Sequence, residues 1–135
     1  MNSKPTLASE DVRRMAAAAE AEARQHGWAV TIAVVDDGGQ LLWLQRLDGA
    51  APISAQIAPA KARTAALGRR ESRDYEEMIN GPRAAFLSAP GLEGMLEGGI
   101  PVMVQVHCVG AVGVSGVKSS EDAQIARAGI AALAD

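Results

Sequence analysis

Few side chains in this chain are equipped for chemistry, and their spacing bounds what they can do. Lys61 and Arg63 interrupt an alanine-rich run, APAKARTAALG (58–68). At helical spacing Lys61, Thr64 and Gly68 share one face. A cation there serves either to hold a carboxylate or to keep its charge in water while its stem snorkels along the surface. His107 and Cys108 are adjacent. Imidazole and thiolate both ligate haem iron, but neighbours on a strand face opposite sides, so one metal does not take both. No C-x-x-C-H run for covalent haem is present. As plain structure, Cys108 reads as a small buried hydrophobe and His26 as a helix-end surface residue. Asp36 and Arg46 lie on the two arms of an expected hairpin, where an internal ion pair is the simplest use. Asp74-x-x-Glu77 puts two carboxylates on one helix face, for a surface metal or, more simply, a solvated acidic face. No Ser/His/Asp triad and no metalloprotease motif occurs.

The stretch GAVGVSGVKSSEDAQ (110–124) poses a different question. Glycine weakens a strand unless something approaches its backbone closely. That neighbour is either a packed helix or subunit, or a ligand. Strict alternation puts Gly110, Val112 and Val114 on one face and Val109, Ala111 and Gly113 on the other. Ser115-Gly116 ahead of a helix start resembles an anion cradle, since free amides there favour negative groups. It is neither a Walker loop nor a GxGxxG fingerprint.

The elements that must position these groups follow from local signals. Ser9-Glu10-Asp11 opens a first helix, with Ser9 as cap, and Gly27 stops it. Residues 28–35 and 40–47 read as a hairpin around Asp37-Gly38-Gly39. A second helix spans 55–67, with Pro59 near its first turn or kinking it and Gly68 ending it. Ser72 opens a short helix, 73–80, closed by Gly81-Pro82. Residues 83–100 form the longest irregular stretch, and such loops often carry function. Strands at 102–106 and 108–115 follow, then a helix at 121–133 capped by Ser119 or Ser120. The order is αββααββα in one domain, 1–135. Adjacent strands pair antiparallel and helices pack on the sheet, an α/β (α+β) class.

Composition narrows the partners. The 135 residues carry a net charge of −3 and only 3% aromatics: Trp28, Trp43, Tyr75 and Phe86. Stacking rings and basic charge for nucleic acid are lacking. The start, MNSKPTLASEDVRRM, has no apolar h-region, and no run approaches the ~18 apolar residues of a membrane span. The single cysteine makes no internal disulfide. The expectation is a cytoplasmic protein with no nucleic-acid or membrane partner.

Four segments together resemble one family: VVDDGGQLLWLQRLDGA (34–50), APAKARTAALG (58–68), GGIPVMV (98–104) and VGAVGVSGVKSSEDAQIARAG (109–129). They are similar to the GlcG/HbpS-like family, the haem-binding HbpS-like proteins once grouped as a domain of unknown function. The resemblance covers nearly the whole chain. It implies a profilin-like fold, a central antiparallel sheet with helices on both sides. It implies a homo-oligomer (dimer, tetramer or octamer), a small-molecule ligand, and haem as the cofactor if there is one. The pocket it implies is lined here by Lys61, Thr64, Gly98, Gly99, Ile100, Pro101, Ser115 and Gly116. Gln105-Val106 stands where the family commonly has an Asp-Gly-type turn, and His107 replaces a commonly acidic or polar residue.

Three functions follow as expectations. The first is a small-ligand or haem-binding protein, with His107 the metal ligand to test first. The second is a cofactor-free enzyme, an isomerase, tautomerase or hydrolase, acting on a small acidic metabolite of a catabolic pathway. Its Lys61 or Arg63 would hold the anionic group, and His107 or a desolvated Asp36 would move the proton. The third is a scaffold or regulatory partner, since alanine-rich helices also suit a subunit interface.

Overall fold

Small side chains set how closely this protein packs. The first helix, α1 (Ser9–Gln25), buries Val12, Met15, Ala16, Ala19 and Ala23, a one-sided stripe at helical spacing. Ser9 is its first helical residue rather than its cap. The start is instead closed by the Asp11 carboxylate, which accepts the Ala8 N–H at 2.8 Å. Gly27 ends the helix as expected, at φ +69, with the Gly27 and Trp28 amides returning to the carbonyls of Arg24 and Ala23.

The computed structural model describes residues 1–134. After α1 come β1 (Thr31–Asp36), β2 (Leu41–Arg46), α2 (Ser54–Gly68), α3 (Ser72–Asn80), a short 3₁₀ turn (Ala84–Ser88), β3 (Gly99–Val104), β4 (His107–Ser115) and α4 (Ser119–Ala131). A last 3₁₀ turn covers Ala132–Ala134. The αββααββα order and the α+β class hold. The four strands form one antiparallel sheet in the order β2-β1-β4-β3. Helices cover both faces, as in the profilin-like arrangement.

The two central strands are buried on both sides. Ile32 and Val34 of β1, with Val112 and Val114 of β4, face α1 and α4 around Met15 and Ile125. Ala33, Val35 and Ala111 face α2 through Ala58, Ala62, Ala65 and Ala66. Alanine against alanine lets α2 lie close on the sheet. Gly113 takes this furthest: a Cβ there would run into the Ala58 carbonyl and stand 2.6 Å from the Ala62 nitrogen. That strand glycine therefore answers to a helix, not to a ligand.

Three local expectations need correction. Val109 does not share a face with Ala111. Met103 pairs with Cys108 and Val102 with Gly110, so Val109 is the extra residue of a bulge and turns into the α1/α4 core. The third strand runs Gly99–Val104 rather than 102–106, which leaves Gln105-Val106 as the turn, where the resemblance put it, with Gln105 held at φ +57 although it is not glycine. The left-handed residue after α2 is Arg69, at φ +56, not Gly68. Gly68 is small because the Tyr75 ring lies on it, where a Cβ would stand 2.8 Å from Cε2.

Candidate functional site

The helix α2 carries both cations of the KAR run, and the fold treats them oppositely. Lys61 points inward and is 3% exposed. Its ammonium donates to the Val114 carbonyl at 3.0 Å and to Asp122 Oδ2 at 3.1 Å. Val114 belongs to the end of β4 and Asp122 to the first turn of α4, so the ammonium ties three elements together. Asp122 also accepts the Val117 N–H, at 3.2 Å on Oδ1. Burial pushes the Asp122 carboxyl above its ordinary range, while the Lys61 charge and the Val117 amide pull it back.

The glycine pair ahead of β3 closes this end of the sheet. Gly98, at φ +133, passes so near the ammonium that a Cβ would lie 2.8 Å from Nζ and 2.7 Å from the Val114 oxygen. Its carbonyl accepts the Val114 N–H at 3.0 Å. The Gly99 N–H donates to Ser72 Oγ at 2.8 Å, and Ser72 donates to the Leu96 carbonyl at 2.5 Å. Ser72 thus straps the loop to α3 instead of capping that helix, whose N-cap is Glu71. Ile100 lies in the core. Pro101 is half-buried on β3, an edge strand, where its missing N–H costs no ladder bond. Ser115 is buried opposite Thr31, whose hydroxyl bonds Ser54 at 2.7 Å. Gly116 crosses close over Val30, with its φ at +145.

Lys61, Gly98, Gly99, Ser115 and Gly116 are therefore gathered at one end of the sheet, the first four buried and Gly116 exposed. The start of α4 meets carboxylates of its own chain: Glu121 accepts the Lys118 N–H at 3.2 Å, and Asp122 takes the Val117 amide. Thr64, one turn on from Lys61, donates to the Glu93 carbonyl and pins the irregular loop to α2.

His107 and Asp36 lie at the other end. His107 begins β4, seven residues before Val114, which is roughly 20 Å along a strand. It is half-buried, and its imidazole makes no hydrogen bond among the described residues. Asp36 pairs with Gly110 and uses Oδ1 to accept the Gly38 and Gln40 amides, both at 2.9 Å. It holds the hairpin turn. The expected Asp36–Arg46 ion pair does not form, because Arg46 stands across from Thr31 at the far end of the hairpin. The fold does not bring Lys61, His107 and Asp36 together.

Arg63, two residues from Lys61 and about 200° round the helix, lines an open cleft of about 330 Å³ between α2, the β1–β2 turn and the irregular loop. A second cleft of about 560 Å³ lies between α3 and the same loop, with Ile79, Leu87, Leu92 and Met95 among its walls. His107 lines neither. Cys108 is buried, its sulfur 3.4 Å from the Gly110 carbonyl. His26 is at the surface, bonded to Glu22 and stacked on Trp28. Asp74 and Glu77 pair with Arg70 and Arg73. No cluster of three or more His, Cys, Asp or Glu suited to a metal occurs among the described residues.

Asp122 is the participant that sequence reasoning missed. It was legible only as an acid favourable to a helix start, and nothing local tied it to a lysine 61 positions earlier. Gln56 and Glu93, on the rim of the Arg63 cleft, carried no signal at all.

The geometry agrees with the likeness to known proteins. Residues 7–131 match the family model described as haem degrading protein HbpS-like. Protein GlcG of Escherichia coli K12 is 53% identical over 115 residues, 85% of each chain. Among solved structures, a double mutant of Streptomyces reticuli HbpS superposes with a TM-score of 0.89 at 34% identity, covering 98% of this chain and 90% of that one. A crystal structure of a PduOC–haem complex gives 0.86 at 25% identity, covering 95% of both. With a family model spanning all four strands and the helices that seal them, the chain belongs to the HbpS-like family.

Proposed function

We propose that this protein is a cytoplasmic, homo-oligomeric small-ligand-binding protein of the GlcG/HbpS type, and that haem is a ligand. The observation that carries this is the near-full-length match to the PduOC–haem complex. When bound, haem would supply a redox-active iron. The donor chemistry fits at one point. The His107 imidazole is half-exposed and makes no hydrogen bond among the described residues, and histidine is a common axial ligand. The walls of one chain do not fit there, because His107 stands apart from both clefts. The reading therefore joins haem to assembly, with the remaining wall supplied by a second copy.

Assembly has its own support. The edge strand β2 exposes Leu41, Leu42 and Leu44 at 50%, 43% and 45%. Between them the Trp43 indole N–H is buried with no acceptor among the described residues. Apolar edge strands are ready templates for pairing, and an orphaned buried donor invites a partner's acceptor. No helix among the described residues is long and apolar enough to cross a membrane.

The test is a visible-spectrum titration with haemin of wild type beside His107→Ala, with sedimentation of wild type beside Leu42→Glu. The expected result is a saturable Soret band lost in His107→Ala, and an oligomer that falls apart in Leu42→Glu. A band unchanged in His107→Ala keeps haem and discards that ligand. No band in wild type ends the haem reading.

A further inference from the structure

The cleft beside Arg63 is small, charged at one point, and shares only Leu41 with the β2 edge invoked above for assembly. Its floor is apolar: Val35, Leu41, Pro59 and Ala60. Its rim carries Arg63, Gln56 and Glu93. The outer wall is fixed. Thr64 donates to the Glu93 carbonyl, and Gly94 lies so close on α2 that a Cβ there would stand 2.7 Å from the Ala60 Cβ. The stem of Arg63 is confined as well. A Cβ on Gly39 would come within 3.0 Å of Arg63 Cγ and 3.3 Å of Nη1, so only glycine leaves the side chain room to lie over the turn.

The charge at the end of that stem has no counter-ion among the described residues. Arg24, Arg70, Arg73 and Arg127 each pair with a glutamate or aspartate. Arg63 has neither a hydrogen bond nor an ion pair among the described residues, although Glu93 shares its cleft. A half-buried guanidinium with no partner among the described residues, lining a cleft whose other walls are largely apolar, is a receptor for an anion with a short apolar tail.

We propose that this cleft binds a short-chain monocarboxylate. The planar carboxylate matches the fork of Arg63 in a way a point-charge lysine would not. The Gln56 amide offers a further donor at the rim. The alkyl tail lies on Val35, Leu41, Pro59 and Ala60. Glu93 selects against a second negative charge, so a dicarboxylate of similar length binds less well. At about 330 Å³ the cleft suits a metabolite of a few carbons and excludes a porphyrin. The proposal is independent of haem and of His107.

Butyrate is the probe, titrated into haem-free protein at constant ionic strength and followed by amide chemical shifts, with succinate and phosphate as comparisons. The expected result is saturable shifts at Gly39, Gln56, Arg63 and Glu93, weakened about tenfold or more in Arg63→Gln and retained in Arg69→Gln. Gln56→Trp, which fills the mouth from an exposed position, abolishes them even if Arg63→Gln folds poorly. No saturation at tens of millimolar butyrate overturns the proposal. So do shifts unchanged in Arg63→Gln, or equal shifts with phosphate, which would mean general anion attraction. Haem binding measured on the same variants stays as in wild type, so failure here leaves the haem reading standing, and the reverse.

Discussion

Lys61 and Arg63 stand two residues apart on α2, both cations in a run of alanine, and they end in opposite surroundings. Lys61 is sealed beneath Gly98 and Gly99, with Asp122 and the Val114 carbonyl as partners. Arg63 lies over an open cleft with its charge unpaired among the described residues. The difference separates two uses of charge. A buried lysine needs a counter-charge because the low-dielectric interior penalises it alone, and once paired it fixes which elements meet. A half-exposed arginine keeps enough water to remain unpaired, and so stays available to a ligand. Lys61 organises the end of the sheet, and Arg63 is the group left free to recognise something.

The largest test removes the sealed charge. Lys61→Met leaves the Asp122 carboxylate buried without its partner and should cost about 3–5 kcal/mol in urea denaturation at neutral pH. The cost should shrink on mild acidification. Burial raises the Asp122 pKa in the fold, so the folded state takes up the proton first. That contribution favours folding on the acid side and is lost as pH rises through the folded value. A cost independent of pH would break the assignment of Asp122 as the stranded charge. Adding Asp122→Asn to Lys61→Met should recover part of the loss.

A smaller effect tests the packing that drives Lys61 inward. Gly113→Ala places a methyl against the Ala58 carbonyl and should destabilise by about 1–3 kcal/mol. A neutral result would show that α2 can lift from the sheet, and would reopen a ligand role for that strand. Next comes relief of backbone strain at the end of the same helix. Arg69→Gly should raise stability by about 0.5–1 kcal/mol, since Arg69 alone holds the left-handed position. The smallest change in stability belongs to Arg63→Gln, within about 0.5 kcal/mol, because no hydrogen-bond or ion-pair partner among the described residues is lost. A large loss there would mean that Arg63 is structural, and would erase its contrast with Lys61.

Much of the fold was legible because it rests on short-range signals. Gly27 stopped α1, Asp37-Gly38-Gly39 turned the first hairpin, and runs of β-branched and small apolar residues marked β1 and β4. Errors arose where a tertiary contact overrode a local rule. Ser72 has the chemistry of a helix cap, but Gly99 and Leu96 compete for its hydroxyl. Gly68 looked like a helix stop because glycine usually supplies a left-handed φ, yet Tyr75 is the reason it is small. Val109 missed its predicted face because one bulged residue reverses every side chain beyond it.

The candidate site was legible in part for the same reason. Residue types named Lys61, Thr64 and Arg63 as unusual on an alanine-rich helix. Helical phase put Lys61 and Thr64 on one face, and both are buried. Phase did not say what that face meets. The pairing of Lys61 with Asp122, the strap from Ser72, and the rim of Gln56 and Glu93 join residues tens of positions apart.

By itself, then, the sequence determined the order of the elements, their turns and the class of the sheet, since those depend on φ preferences and periodicity within a few residues. Only the tertiary structure decided which cation was sealed and which stayed open. Desolvation and pairing depend on what the rest of the chain brings to within about 4 Å, and no local pattern carries that.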